Sequence, residues 1–310
     1  DRGVIPYGPL ELTPGASVFH YCQSVFEGIK AYKREDGSVW TFRPGYNAAR
    51  LNHSARRLAL PELSREDFVA SLVDYVRADV KWVPGVDGSS LYLRPFMFAS
   101  EEFVGVHPAG VVDYYVIGSP SGPYFKGGLS GVAIWVEREY HRAGPGGTGS
   151  AKAGGNYAAS LLPQIQAEAK GFSQVCFLDT YEGKYLEELG GMNMFVVMAD
   201  GTIRTPELTG VILEGGTRSA ILRMLRDQGV DVREEKIALS EVVDGIRSGA
   251  VAEVFACGTA AVVTPITRLA GDEFDVEIEV GEKTREIHKH LTDIQWGRAE
   301  DPYGWTYRLV

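Results

Sequence analysis

Apolar and polar positions along this chain change period several times. Residues 17–42 read as short strand-like runs, SVFHYCQSVFEGIKAY and then VWTF. Asp36-Gly37 between them, flanked by alternating apolar residues, predicts a hairpin. The period then lengthens. Ala49, Leu51, Ala55 and Leu58 predict a helix over 46–60 that stops before Pro61, and Ser64-x-x-Asp67 resembles a capping box opening a second helix. Phe68, Leu72, Val73, Val76 and Val80 give that second helix its apolar face. LYLRPFMFA and VVDYYVIG follow as strands, separated by the loop SEEFVGVHPAG.

The turn-rich stretch SGPYFKGG, 121–128, interrupts the pattern and marks a linker. Beyond it VAIWVERE predicts a strand, and 156–170 a helix stopped by Gly171, with Pro163 as a local irregularity. QVCFLD is a strand, and NMFVVM with Asp200-Gly201-Thr202 predicts another hairpin. A helix carries Ile221, Leu222 and Leu225 to an end near Gly229. Ser240 is expected to cap a short helix, VAEVFACG to form a buried strand, and GEKTREIHKHLTDIQWG to form the last helix. No repeat or low-complexity tract is visible. The expectation is an α+β protein with a small domain over 1–120, a linker over 121–130 and a larger domain over 131–310.

Composition narrows the function classes. The 310 residues are 45% hydrophobic and 23% charged, with a formal net charge of -10. Such an acidic balance argues against nucleic acid or an anionic membrane as the main partner. No apolar run approaches the roughly 20 residues of a membrane span. The first residues lack the basic start and apolar core of a signal peptide, so a cytoplasmic location is expected. An initiator methionine is also lacking, so a leading segment, either cleaved or simply not included, is expected, and an organellar location with a removed leader is the alternative. Cys22, Cys176 and Cys257 lie far apart without a CxxC, the usage expected of buried thiols in a reducing compartment. His288 and His290 are two apart in a predicted helix and face different ways, so no metal site is expected.

Chemistry concentrates in 144–157, GPGGTGSAKAGGNY, where six glycines surround Lys152. A Walker phosphate loop requires lysine directly after the last glycine and then Ser or Thr. Here Ser150 and Ala151 intervene, so a nucleotide-binding module is disfavoured. A Schiff-base lysine serving pyridoxal phosphate makes other demands: a carboxylate for the pyridine nitrogen, a phosphate cup and a hydroxyl near the phenolic oxygen. Glu188 in ELGGMN, Gly216 and Thr217 at a helix start, and Tyr157 supply one candidate each. Singly, each has a plainer reading: a solvated loop carboxylate beside Glu187, an ordinary helix start, a packed aromatic. For 144–150 the plain reading is a flexible loop. Their joint occurrence carries the argument.

At this point the chain resembles the branched-chain amino acid aminotransferases, pyridoxal-phosphate enzymes of fold-type IV. HYCQSVFEGIKAY, FRPGYNAARL, SLYLRPFMFASEEFVGV, SPSGPYF, GGTGSAKAGGNYAAS, ELGGMNMF, GVILEGGTRSAIL and EVFACGTAAVVTP match in order over nearly the whole chain. The combination of VFEG, YLRP and GPYF is specific to this subfamily and disfavours its fold-mates, the D-amino acid aminotransferases and aminodeoxychorismate lyases. The resemblance implies a two-domain architecture with pyridoxal 5'-phosphate at the domain interface, and a reversible ping-pong exchange between leucine, isoleucine or valine and 2-oxoglutarate.

Position by position, it implies that Lys152 carries the cofactor and moves the Cα proton, while Glu188 keeps the pyridine nitrogen protonated. Tyr157 would bind the phenolic oxygen, and Arg50, Gly216, Thr217 and Thr259 the phosphate. Phe26, Tyr92 and Tyr124 would wall an apolar substrate pocket, with the amides of Thr259 and Ala260 on the α-carboxylate and Arg94 on the distal carboxylate of glutamate. Tyr21, Val104 and Val106 match loop residues that reach the neighbouring active site in homodimers of the family. Two departures stand out. The positions of a redox-tuning CxxC in some relatives read Ala261-Val262-Val263-Thr264, so that control is expected to be absent. Gly191 replaces a threonine that others carry near the cofactor.

Overall fold

The computed structural model describes residues 3–122 and 129–310. The chain divides into two compact units, one comprising Asp1–Tyr124, Ala151–Gly155 and Asp293–Val310, the other Phe125–Ser150 and Asn156–Thr292. This differs from an uninterrupted second domain over 131–310. The segment bearing Lys152 folds with the first unit, and so does the C-terminal stretch. Residues 123–128, most of the expected linker, lie outside the described residues.

In the first unit, β1 (Ser24–Phe26), β2 (Ile29–Lys33), β3 (Val39–Phe42), β4 (Ser90–Ala99), β5 (Val112–Ser121) and β15 (Thr306–Arg308) form one antiparallel sheet. Its order is β1-β4-β2-β3-β15, with β5 on the other edge of β4. β15 draws the C-terminus here by pairing with β3, and Leu309 enters the core. β1 and β2 both pair with β4 on one edge, interrupted at Glu27-Gly28. Pro95 falls at that interruption, where its carbonyl accepts from the Glu27 amide. N and C=O of a strand residue point the same way, so Pro95 would also have donated to Glu27; without its N–H the pair keeps one of two bonds, and the ladder breaks there.

Helices α2 (Pro44–Arg57) and α3 (Arg65–Ala78) cover one face of this sheet. Pro44 opens α2 at a position needing no N–H donor, and the Asp67 amide donates to Ser64 Oγ as the capping pattern required. Ala48, Leu51 and Ala55 of α2 and Phe68, Leu72 and Val76 of α3 bury against Val25, Ile29, Ala31, Leu91, Leu93 and Met97. The strand expected over 17–22 is instead a single helical turn, α1 (Val18–Tyr21), ended by Cys22 at φ 51°. None of its four residues is buried, so no sheet face claims them. Cys22 is exposed, whereas Cys176 and Cys257 are buried as expected.

In the second unit, β6 (Val132–Glu137), β7 (Gln174–Leu178), β8 (Leu186–Leu189), β9 (Asn193–Met198), β10 (Ile203–Pro206), β11 (Val232–Glu235), β12 (Val251–Gly258), β13 (Val262–Gly271) and β14 (Phe274–Glu277) form a mixed sheet. Its order is β11-β10-β9-β12-β13-β6-β7-β8, with β14 beside β13. Helices α6 (Gly216–Asp227), α7 (Leu239–Ser248) and most of α8 (Glu282–Trp296) accompany it. The helix expected over 156–170 is two, α4 (Gly154–Ala159) and α5 (Leu161–Ala169), parted at Ser160. Pro163 sits in the first turn of α5, where it is tolerated; the break therefore precedes it. Ser240 is not a cap: α7 begins at the buried Leu239, with Ala238 at the cap position.

Candidate active site

The pleat of the first unit's sheet sorts residues by parity, since directly paired residues share a face. Along β4, Leu91, Leu93 and Met97 turn to the helices, leaving Tyr92, Arg94 and Phe96 on the opposite face. Phe26 pairs with Phe96 and Lys30 with Tyr92, so both join that second face. The Arg94 guanidinium lies 4.6 Å from the Phe26 ring centre and donates to the Tyr92 hydroxyl at 3.0 Å. Its Nε is buried without a hydrogen-bond partner. A side chain at Gly28 would place Cβ 2.1 Å from the Tyr92 hydroxyl, so glycine is what lets Tyr92 lie across the sheet. Burial lowers the Lys30 amine to about 8.

Lys152 reaches this face by backbone pairing. The Phe26 amide donates to its carbonyl at 3.0 Å, its own amide donates to Ser54 Oγ at 2.8 Å, and Ala153 bridges Val25. These contacts seat the segment against β1 and α2 and bring Nζ 4.6 Å from the Phe26 ring centre. An amine, an aromatic wall and a guanidinium thus share one surface.

Arg50 lies on the buried stripe of α2, unlike the exposed Arg56 and Arg57. Its Nε and Nη2 both donate to the Glu27 carboxylate at 2.8 Å, with side chains 9% and 0% exposed. Asn47 adds a third hydrogen bond to Glu27 at 2.7 Å. The two-pronged pair fixes the guanidinium plane.

In the second unit Glu188 is no solvated loop residue. It stands in β8, a strand buried along its length. Its Oε1 accepts from the Leu213 amide at 2.7 Å and pairs with Arg142 at 2.8 Å. Leu213 is itself held through its carbonyl by Asn193 Nδ2 at 2.9 Å, just before α6. Gly215 caps α6 without a side-chain hydrogen bond, so Gly216 and Thr217 occupy a first turn whose dipole favours an anion. Thr259 and Ala260 form the turn from β12 to β13. Val262 closes that turn at φ 61°, a strained setting for a β-branched residue. A Cβ on Gly258 would meet Met192 at 3.3 Å, and one on Gly191 would meet the Tyr157 ring at 3.9 Å. Tyr157, the end of β8 and the Thr259 turn are therefore neighbours, with room for a larger residue at 191.

The run 144–150 is also more than a loose connector. Thr148 Oγ1 donates to Asn156 at 2.6 Å, Asn156 returns a bond to the Thr148 carbonyl, and Arg142 holds the Gly149 carbonyl at 3.2 Å. A Cβ on Gly149 would lie 2.1 Å from the Val211 carbonyl oxygen, so only glycine allows that approach.

The structure thus brings Phe26, Tyr92, Arg94 and Lys152 together in one unit, with Arg50 on α2. It brings Tyr157, Glu188, Thr259 and Ala260 together in the other, with Gly216 and Thr217 at the start of α6. Tyr21 and Val104 are exposed and joined by a hydrogen bond from the Tyr21 hydroxyl to the Val104 carbonyl, with exposed Val106 close by in sequence. Tyr124 lies outside the described residues. Glu27, Gly28, Lys30, Arg142 and Asn193 were missed from sequence. Glu27 alone left a signal: a carboxylate between two apolar strand runs. Among the described residues no group of His, Cys, Asp and Glu could hold a metal ion, and no helix is long and apolar enough to cross a membrane.

Known proteins resemble the chain over nearly its whole length. The family model for amino-transferase class IV matches residues 24–269. A branched-chain-amino-acid aminotransferase of Mycobacterium tuberculosis is 50% identical, covering 99% of this chain and 85% of its own length. Branched-chain-amino-acid aminotransferase 2 of Bacillus subtilis is 45% identical over 100% of this chain and 86% of its own. Among solved structures, the branched-chain aminotransferase of the thermophilic archaeon Thermoproteus uzoniensis with norvaline superposes with a TM-score of 0.84 at 29% identity, covering 97% of this chain and 94% of its own.

Proposed function

The chain belongs to the class IV aminotransferases, and on that premise we propose that it exchanges amino groups between leucine, isoleucine or valine and 2-oxoglutarate, with pyridoxal 5'-phosphate as cofactor. The observation that carries the substrate class is the shared face of Lys152, Phe26, Tyr92 and Arg94. An aromatic wall suits a branched aliphatic side chain, and a guanidinium with an unpaired buried nitrogen suits the distal carboxylate of glutamate or 2-oxoglutarate.

The residues present fit the cofactor. Glu188 is a buried carboxylate held by two donors, Gly216-Thr217 open a helix without a side-chain cap, and Lys152 rests against an aromatic ring. Pyridoxal phosphate supplies a carbonyl that captures amines and a protonated ring that draws electrons from the adjacent Cα–H bond. Lys152 would hold the cofactor through its amine and, once free, would serve as the base that moves the substrate's Cα proton. Glu188 would accept a hydrogen bond from the pyridinium nitrogen, and Tyr157 would donate to the phenolic oxygen. Arg50, Gly216, Thr217 and Thr259 would hold the phosphate. The amides of Thr259 and Ala260 orient the α-carboxylate, while Phe26, Tyr92 and Tyr124 exclude water from the side chain. A second copy of the chain supplies Tyr21, Val104 and Val106 to the pocket, making the working form a homodimer, and the enzyme acts in the cytoplasm on small molecules alone.

The purified protein should be yellow, be bleached by borohydride and transfer the leucine amino group to 2-oxoglutarate. Lys152→Ala should keep the fold and lose the transfer. Colourless protein that takes up no pyridoxal phosphate refutes the proposal, and turnover in Lys152→Ala refutes the role of that residue.

A further inference from the structure

Arg142 has no part in the roles above, yet it is among the most deeply buried charges in the second unit. Its side chain is 3% exposed and its Nε has no hydrogen-bond partner. Nη1 lies 2.8 Å from Glu188 Oε1 and donates to the carbonyls of Gly149 at 3.2 Å and Val211 at 3.1 Å. Apolar residues of similar volume commonly replace such a buried pair without loss of stability, so folding alone does not account for it. The three groups that Arg142 holds have one thing in common. Gly149 precedes Lys152 by three residues, Val211 lies on the approach to α6, and Glu188 is the carboxylate assigned to the pyridine nitrogen.

The neighbouring carboxylate is pressed towards its neutral form. Glu187, next to Glu188, is raised to about 7 by burial first, then by the charges of Glu188 and Asp179, with Arg142 opposing. Titratable groups near this pair include Cys176 from β7, Asp179 just after that strand, and His141, whose Nδ1 faces the Leu178 carbonyl. Cys176 is raised to about 12, mainly by burial.

We propose that Arg142 is a positioning residue: it keeps Glu188 charged and fixed in direction, and through Gly149 and Val211 locks it to the backbone that leads to Lys152 and to α6. This rests on the assignment of Glu188 to the pyridine nitrogen. Arg142→Met, Arg142→Lys, Glu188→Gln and the double variant Arg142→Met/Glu188→Gln should be compared as holoenzymes. The readouts are kcat and KM for leucine, and the pH dependence of kcat and of the visible absorption band.

Arg142→Met should lower kcat by about 10–100-fold near neutral pH, the range seen when partners of a site ligand are removed. KM for leucine should change little, and kcat should recover as rising pH ionises Glu188. Arg142→Lys keeps the charge and should keep the pH profile even if its melting temperature falls. The double variant should be no slower than Glu188→Gln alone. An unshifted pH profile in Arg142→Met, or losses that multiply in the double variant, would overturn the proposal. If Arg142→Met does not fold, Arg142→Lys decides: a wild-type profile supports the role and a shifted one refutes it. Full activity and an unchanged spectrum in Glu188→Gln would instead remove the assignment on which the proposal stands.

Discussion

Glu27→Ala tests the bracing of Arg50 directly. Glu27 is wholly buried and accepts from Arg50 Nε and Nη2, from Asn47 Nδ2 and, at 3.3 Å, from the Gly28 amide. Truncation leaves a guanidinium 9% exposed with its counter-charge gone. Breaking a buried pair by removing one partner costs about 3–5 kcal/mol. At about 2–4 °C per kcal/mol for a unit of roughly 150–250 residues, the cofactor-free protein should melt about 6–20 °C lower. Glu27→Gln keeps an acceptor and should fall in between. The double variant Glu27→Leu/Arg50→Met buries no charge and should recover to within about 1–2 kcal/mol of wild type. Inorganic phosphate should raise the melting temperature of Glu27→Ala more than that of wild type, because the guanidinium no longer held by Glu27 can pair with the anion. Scanning calorimetry of the cofactor-free protein reads all four. A drop under about 3 °C in Glu27→Ala, or a double variant no better than the single one, would refute the reasoning.

Three further outcomes are expected. Arg94→Ala should raise KM for 2-oxoglutarate about tenfold or more, as for a lost charge-assisted hydrogen bond, while sparing leucine; equal losses would remove its selectivity. Gly28→Ala forces the Tyr92 hydroxyl off its site and breaks its bond to Arg94, so steady-state kinetics should again show the larger loss with 2-oxoglutarate, and wild-type kinetics would mean that Tyr92 moves freely. Glu187, raised to about 7 from 4.5, binds a proton in the folded chain where the unfolded chain has lost it. Its contribution therefore falls as pH rises from about 4.5 to about 7, and melting curves of Glu187→Gln should lose that part of the pH dependence; an unchanged slope would contradict the burial argument.

Much of the fold was legible because periodicity reports burial. The hairpin at Asp36-Gly37, α2, α3, β4, β5, β12 and α8 follow from apolar spacing and turn residues. β8 was not legible, because LEEL carries two carboxylates whose partners, Arg142 and the Leu213 amide, are remote in sequence. β15 was equally opaque: a three-residue edge strand is defined by the strand it joins rather than by its own pattern. Of the site, Lys152 drew notice through its glycines, whereas only the family resemblance set Arg50 apart from Arg56 and Arg57; its burial on α2 emerged with the fold. Arg142 gave no local signal, since what distinguishes it is the company assembled by folding.

The alternation along β4 bears on how such an enzyme changes over time. Leu91, Leu93 and Met97 bind the sheet to its helices, and Tyr92, Arg94 and Phe96 lie on the opposite face, the one proposed to meet substrate. Neighbours in sequence thus answer to different selection pressures. On the proposed reading, substitutions at 92 and 94 should alter substrate preference without opening a cavity in the helix-packed core. Substitutions at 91, 93 or 97 endanger folding and leave the ligand face chemically intact. One strand therefore gives the lineage a register in which specificity can drift while the scaffold stays put.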